Sequence, residues 1–417
     1  MRKLVVAAIA LALVVAAASV AGAQSTTTTP TTTPTTSTTA AAGGGAVRGV
    51  TPTTVKVGGI GQSFLYGGAS IGAKARFQRA NDSGGVNGRT IDYVGLSDDS
   101  GDGAAGTTDA QQLVEQNRVL AVVPVVTPDL AASTYLVKQR VPYFGWALSS
   151  NFCGNRYGFG FSGCPVPENA TSNAWPLLIS KVFQNGSTNR AVAIVAEDTP
   201  SGRYEVATLS AAAKSVKFRV AYAKTSLATP ATPDYDAVAK AVVTSNRGTI
   251  PDAVFVVGGP SNVYGMQQAL SANGFLGLFT NRIEYAPDLV APAASTVVFT
   301  QTAPTESAST NSAMQQLVDD VHKIAPNQPI DQGVIAGYWS ADLFLAALQK
   351  AGKNVTAARL VKAANTKFTY EVPNTVGPTT FPAAHAVPTP CGALVTSDGT
   401  AYSVKAPYSC GRVVPVE

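Results

Sequence analysis

The chain has 417 residues, with 30 Lys and Arg against 25 Asp and Glu, a formal net charge of +5, two His and four Cys. Charged residues make up 13% and hydrophobic residues 45%, which excludes a disordered, charge-driven chain. The small basic excess excludes a nucleic-acid binder with its basic stripe, and two His argue against a multi-histidine metal centre.

Residues 1–23 read as a secretory signal. Arg2 and Lys3 are followed by an apolar run from Leu4 to Val20, and Ala21-Gly22-Ala23 forms a cleavage site, so the mature chain is expected to begin at Gln24. The run is long for a signal, and an uncleaved membrane anchor is the other reading. No Cys lies beside the cleavage site, so lipid attachment there is not expected. Residues 24–49 are rich in Thr, with Pro30 and Pro34 before a Gly-rich end. They carry little apolar surface to bury and read as a flexible stalk that holds a folded module away from a membrane or wall.

Beyond the stalk, short apolar runs alternate with longer amphipathic ones. Strands are expected at 55–60, 91–96, 121–126 and 142–146, with helices at 68–81, 107–116 and 130–139. The pattern then restarts. Helices are expected at 173–183, 204–215, 235–245 and 263–273, and strands at 191–196, 220–224, 253–257 and 282–286. A strand at 296–300 follows, then helices at 310–324, 333–352 and 356–364, then Pro- and Gly-rich strands and turns from Phe368. The fold class is α/β, two doubly wound lobes with parallel-type sheets. Ligands of such sheets bind beyond the carboxyl ends of the strands. The loops there, 61–68, 97–107, 127–130, 147–151, 197–204, 258–264 and 287–290, are rich in Ser, Thr, Gly, Asp and aromatics, a composition suited to a small polar molecule.

The four Cys suit an exported protein. They allow three pairings, of which the local ones, Cys153 with Cys164 and Cys391 with Cys410, are simplest. A metal site is the alternative, although no C-x-x-C spacing occurs.

Several segments resemble one family. Val55-Lys56-Val57-Gly58 is similar to its opening strand, and Tyr66-Gly67 to the turn into its first helix. Asn81-Asp82-Ser83-Gly84-Gly85-Val86-Asn87-Gly88-Arg89-Thr90-Ile91 is similar to its N-x-x-G-G-[IV]-x-G-x-x-[IL] motif, and Ser97-Asp98-Asp99-Ser100-Gly101-Asp102 to its acidic turn. Glu197-Asp198-Thr199-Pro200-Ser201-Gly202, Val256-Val257-Gly258-Gly259 and Ser271-Ala272-Asn273-Gly274 match its second half. Over 54–385 the chain thus resembles the substrate-binding proteins of ABC transporters, branched-chain amino acid (Leu/Ile/Val-binding) type, with the type I periplasmic-binding fold. The resemblance implies a first lobe of 54–171 plus 308–367 and a second of 172–307 plus 368–417. The hinge would be made of crossovers near 168–172, 302–307 and 367–371 and would close on the ligand.

The resemblance also implies where the ligand is held. Its carboxylate would meet Thr127 and the turn with Ser149 and Ser150. Thr127 before Pro128 also reads as a helix cap, whereas Ser149 and Ser150 show no capping duty. Trp146 is placed to stack on the ligand or to pack in the core. Phe64, Leu65 and Tyr66 would close the other side. In the second lobe, Ser201 stands where the family often has an aromatic, with Tyr204 as a substitute, and Pro260 follows Gly258-Gly259. Asp288 is the nearest acid for an ammonium. If it points away, an aromatic carboxylate, keto acid or small amide fits better.

Two rivals stand beside this reading. Asp82-Ser83-Gly84-Gly85 is similar to the nucleophile segment of trypsin-like proteases, but neither His has matching context and there is no G-x-S-x-G or H-E-x-x-H. A calcium loop at Asp98, Asp99 and Asp102 lacks the spaced ligands and the terminal Glu. No enzyme, metal or cofactor is therefore expected. A sensing or adhesion module on the same scaffold is the other rival. The expected protein is secreted and surface-associated. It is a monomer that captures a small carboxylate-bearing solute for an ABC permease.

Overall fold

The structure, a computed structural model, describes residues 47–183, 189–283 and 285–416. The expected signal and most of the expected stalk lie outside the described residues. The stalk's expected end does not: Arg48 Nε donates to the Val119 carbonyl at 3.1 Å, so the fold begins before residue 50.

The first part of the chain runs β1 (Thr54–Gly61), α1 (Ser63–Tyr66), α2 (Ala69–Asp82), β2 (Thr90–Asp98), α3 (Gly103–Gln111), β3 (Ala121–Val126), α4 (Ser133–Lys138), β4 (Tyr143–Gly145), β5 (Gly158–Gly160) and β6 (Ala170–Ser172). Strands β1 to β5 form one sheet in the order β2-β1-β3-β4-β5, every pair parallel. Every residue of β3 is buried, as expected when helices cover both faces of a parallel sheet.

The second part runs α5 (Ala174–Val182), β7 (Ala191–Glu197), α6 (Pro200–Ser215), β8 (Arg219–Leu227), α7 (Tyr235–Val243), β9 (Ala253–Val257), α8 (Pro260–Ala272), β10 (Leu278–Asn281) and β11 (Thr296–Thr300). The chain continues through α9 (Ser312–Ile324), α10 (Gln332–Ala351), α11 (Ala357–Ala364), β12 (Phe368–Val372), β13 (Val376–Phe381), β14 (Cys391–Ser397), β15 (Tyr402–Cys410) and β16 (Val413–Pro415). The second sheet has the order β15-β14-β11-β10-β9-β7-β8. It is parallel from β8 to β11, and β14 and β15 join antiparallel.

Helix α10 is apolar on nearly every side and buried accordingly. It lies directly against α2. A methyl group on Gly72 would collide with the Val334 carbonyl, and one on Gly337 with the Ala69 carbonyl. The two helices therefore touch backbone to backbone. Arg76 of α2 pairs with Asp342 of α10 at 2.5 Å, and Tyr370 of β12 donates to the same carboxylate at 3.0 Å.

Three expectations are corrected. The helix expected at 130–139 begins only at Ser133, and Thr127 does not cap it: its hydroxyl donates to the Asp129 carbonyl at 3.4 Å. The strand expected at 282–286 is β10, placed earlier. Its Thr280 and Asn281 are fully buried, and Thr280 accepts a hydrogen bond from the Trp175 indole at 2.8 Å. Residues 368–385, assigned to the second lobe, pack in the first core through Phe368, Tyr370, Val376, Phe381 and Ala384. The chain reaches the second sheet only at Cys391.

Both local disulfides are formed, Cys153–Cys164 and Cys391–Cys410. The first lies beside His385, whose ring packs against Phe159 and Phe381. The second joins β14 to β15. From Cys410 the chain turns back, and β16 pairs with β6 in a two-stranded ribbon. Among the described residues no helix is long and apolar enough to cross a membrane.

Candidate functional site

A crevice lies where the ends of the two sheets approach each other, lined by Trp146, Phe161, Tyr285, Gln301, Gln332 and Ile335 among others. The enclosed part is narrow, about 20 Å³, little more than a water fills, and it continues into space open to solvent.

Trp146 directly follows β4, and its backbone N–H still donates to Val125 of β3 at 3.1 Å. Its ring lies nearly parallel to Phe161, 10° between planes at 6.5 Å, and meets Tyr66 edge-on at 5.8 Å. Its indole Nε1 donates to Gln301 Oε1 at 2.6 Å. Tyr66 ends α1, a short turn held at its start by the Ser63 N–H donating to Asp98 Oδ1 at 3.0 Å. Burial against α10 raises the Tyr66 hydroxyl above its ordinary pKa. Phe64 and Leu65 do not share this position: they are 89% and 50% exposed.

From the other sheet comes Tyr285. Its hydroxyl donates to Glu306 Oε2 at 2.6 Å and accepts from the Thr305 N–H at 2.9 Å. Burial, with the Glu306 charge, pushes this hydroxyl well above its ordinary pKa. Asp331 caps α10, its Oδ1 accepting from the Val334 N–H at 2.7 Å. Burial raises the Asp331 carboxyl, the backbone N–H groups oppose that, and the charge of Asp288 raises it further.

The remaining expected site residues are scattered. Thr127 is fully buried beneath the loops. Ser149 is buried and does have a capping duty, accepting from the Asn151 N–H at 3.3 Å at the start of a short 3₁₀ turn; Ser150 is exposed on that turn. Ser201 is exposed in the first turn of α6, which starts at Pro200 because Thr199 caps it. Tyr204 donates to the Pro167 carbonyl at 3.1 Å, and burial, with Glu205 adding, pushes it up to about 12. It holds the first crossover and does not line the crevice. Asp288 is exposed and makes no hydrogen bond or ion pair among the described residues. Glu197 Oε1 accepts from the Gly259 N–H and Asn262 Nδ2, each at 2.7 Å, so the start of α8 already holds a carboxylate.

Gln301, Phe161 and Gln332 were not anticipated from the sequence. Gln301 follows β11, and the strand-end rule applied to that strand would have found it. Phe161 follows β5, whose three residues read as loop. Among the described residues, no group of three His, Cys, Asp or Glu side chains is placed to hold a metal ion.

The family model for periplasmic binding proteins matches residues 54–401. The chain belongs to the periplasmic binding protein family. The resemblance read over 54–385, and the α/β fold with parallel sheets, are borne out. Among solved structures this periplasmic binding protein is similar to a fatty acid ABC transporter substrate-binding protein from Thermomonospora curvata, at 18% identity and TM-score 0.64, covering 88% of this chain and 95% of that one. It is similar to the branched-chain amino acid transporter substrate-binding protein of Streptococcus pneumoniae in complex with isoleucine, at 17% identity and TM-score 0.60, covering 85% and 100%. A third is a solute-binding protein of an ABC transporter from R. palustris in complex with 4-hydroxybenzoate, at 18% identity and TM-score 0.62, covering 86% and 97%. At these identities the likeness is one of fold. No curated protein matches the chain.

Proposed function

We propose that this periplasmic binding protein captures a small carboxylate-bearing solute, an amino acid or a related acid or amide, between its lobes outside the cytoplasm and presents it to an ABC permease. The observation that carries this reading is the crevice where Trp146, at the end of β4, meets Tyr285 and Gln301 beyond β10 and β11 of the other sheet. Aromatic surface with a few neutral polar groups suits reversible capture of a small solute. Trp146 and Phe161 make one wall, and Tyr66 packs edge-on against the indole. Ser150 offers an exposed hydroxyl on the turn that follows Trp146, and Asp288 is the candidate partner for an ammonium. The similar structures named for a fatty acid, isoleucine and 4-hydroxybenzoate support a carboxylate, because each of those solutes carries one. No turnover is proposed.

The test is thermal unfolding of the full chain, first unfolded and refolded to strip carried solute. The panel holds aliphatic and aromatic amino acids, their deaminated acids and small amides. A solute at a hundred times its dissociation constant adds about 2.7 kcal/mol, so the midpoint should rise by a few degrees. Trp146→Ala should lose most of that rise. A rise with amino acids alone implies an ammonium site at Asp288, and Asp288→Asn should then remove it. No rise across the panel, with refolding verified, would overturn solute capture in favour of sensing or adhesion.

A further inference from the structure

Gln301 leaves the second sheet directly after β11 and faces an indole carried by the first. An indole N–H only donates, so the partner orients the amide: the oxygen of Gln301 is turned to Trp146 and the nitrogen away from it. That nitrogen carries two N–H donors with no partner among the described residues, and it is not sealed from solvent. Of the nearby hydroxyls, Thr300 is already occupied, donating to the Thr302 carbonyl at 2.8 Å. The start of α10, which borders the crevice, is filled by the carboxylate of Asp331. Donors for an incoming oxygen must therefore come from neutral side chains, and Gln301 is the one fixed in place by a second bond.

We propose that Gln301 determines specificity in this crevice. Its Oε1 holds the Trp146 ring as a flat wall, and its Nε2 donates to a carbonyl or carboxylate oxygen of the solute. The solute class is then planar: an oxygen acceptor set next to an aromatic or flat apolar body that lies along the indole. This rests on the crevice being the solute site.

The experiment compares Gln301→Glu, Gln301→Leu and Trp146→Ala with the wild type, using benzoate and benzamide as probes. Unliganded melting curves verify folding. Without solute, the Trp146 indole N–H should exchange slowly with solvent in the wild type and in Gln301→Glu, which keeps the acceptor, and quickly in Gln301→Leu. Calorimetry should show at least one probe binding the wild type. Gln301→Leu should weaken it by about tenfold, and Gln301→Glu should weaken benzoate more than benzamide. Unchanged affinity in both Gln301 variants, with binding lost in Trp146→Ala, overturns this proposal alone. Full binding by Trp146→Ala overturns the site reading and this proposal with it. A wild type that binds neither probe overturns the planar solute class.

Discussion

His385 is 7% exposed, packs against the touching rings of Phe159 and Phe381, and its Nε2 meets Asn365 Oδ1 at 2.8 Å. Burial pushes its imidazole down to about 4. In the unfolded chain it titrates near 6.5. Between those values the unfolded state binds a proton that the folded state refuses, so stability is complete above about pH 6.5 and falls as pH drops towards 4. The loss reaches about 3 kcal/mol. Urea denaturation of wild type and His385→Gln at pH 7 and pH 4.5 should show the variant losing less between the two. Equal losses would mean another group titrates. At this scale the sequence was readable where a residue's place followed from a strand end, as for Trp146 after β4. It was not readable for hydroxyls. Thr127 and Ser149 sit in loops where a ligand contact and a local hydrogen bond require the same residue type, and only coordinates separate the two. Gln301 gave no signal of its own, because its meaning comes from an indole far away in sequence.

Among the elements, α2 and α10 show how two glycines set a packing distance. Alanine at position 337 gains helix propensity, worth up to about 1 kcal/mol. It must also push α10 off the Ala69 carbonyl, and overpacking of this kind costs about 1–3 kcal/mol. Gly337→Ala should therefore unfold at lower urea with an unchanged slope. Stability equal to the wild type would mean that the helices separate freely. The strands of the first sheet were readable because β3 is a continuous apolar run and β1 sets Val55, Val57 and Ile60 among small residues. Strand β10 was not, since its Thr280 and Asn281 look like loop residues and are tolerated in a central strand only through tertiary hydrogen bonds. Residues 282–286 show the better strand alternation, yet Arg282 leaves the sheet to pair with Glu205 at 3.0 Å and cover the Trp175 ring.

Across the whole molecule, the passages between the two cores are bound together at their ends. Gly411 donates to the Pro390 carbonyl at 2.7 Å, the Arg412 N–H to Asn173 Oδ1 at 2.8 Å, and Tyr408 of the second sheet reaches the Gly377 carbonyl of the β12–β13 hairpin at 2.9 Å. The Cys391–Cys410 bond sits in the middle of these contacts. Replacing both cysteines by serine should cost about 3 kcal/mol for a loop of this length, read as a lower urea midpoint than that of the oxidised wild type. An unchanged midpoint would mean the hydrogen bonds alone hold the passages. Boundaries between lobes were poorly readable for a related reason. The β12–β13 hairpin is strand-like wherever it packs, and nothing local to 368–385 says which core will receive it.

The position of β14 in the second sheet has one further consequence. It closes the open side of β11, yet it is made of residues 391–397, while the first core waits for 368–385. A ribosome or a translocation pore that releases the chain from its amino end first therefore releases a first sheet with an unfinished core and a second sheet still lacking its last strands. Neither core can complete itself until nearly the whole sequence has emerged, and such distant pairings form slowly. The topology itself keeps the emerging chain open, and thus threadable, for almost its entire length.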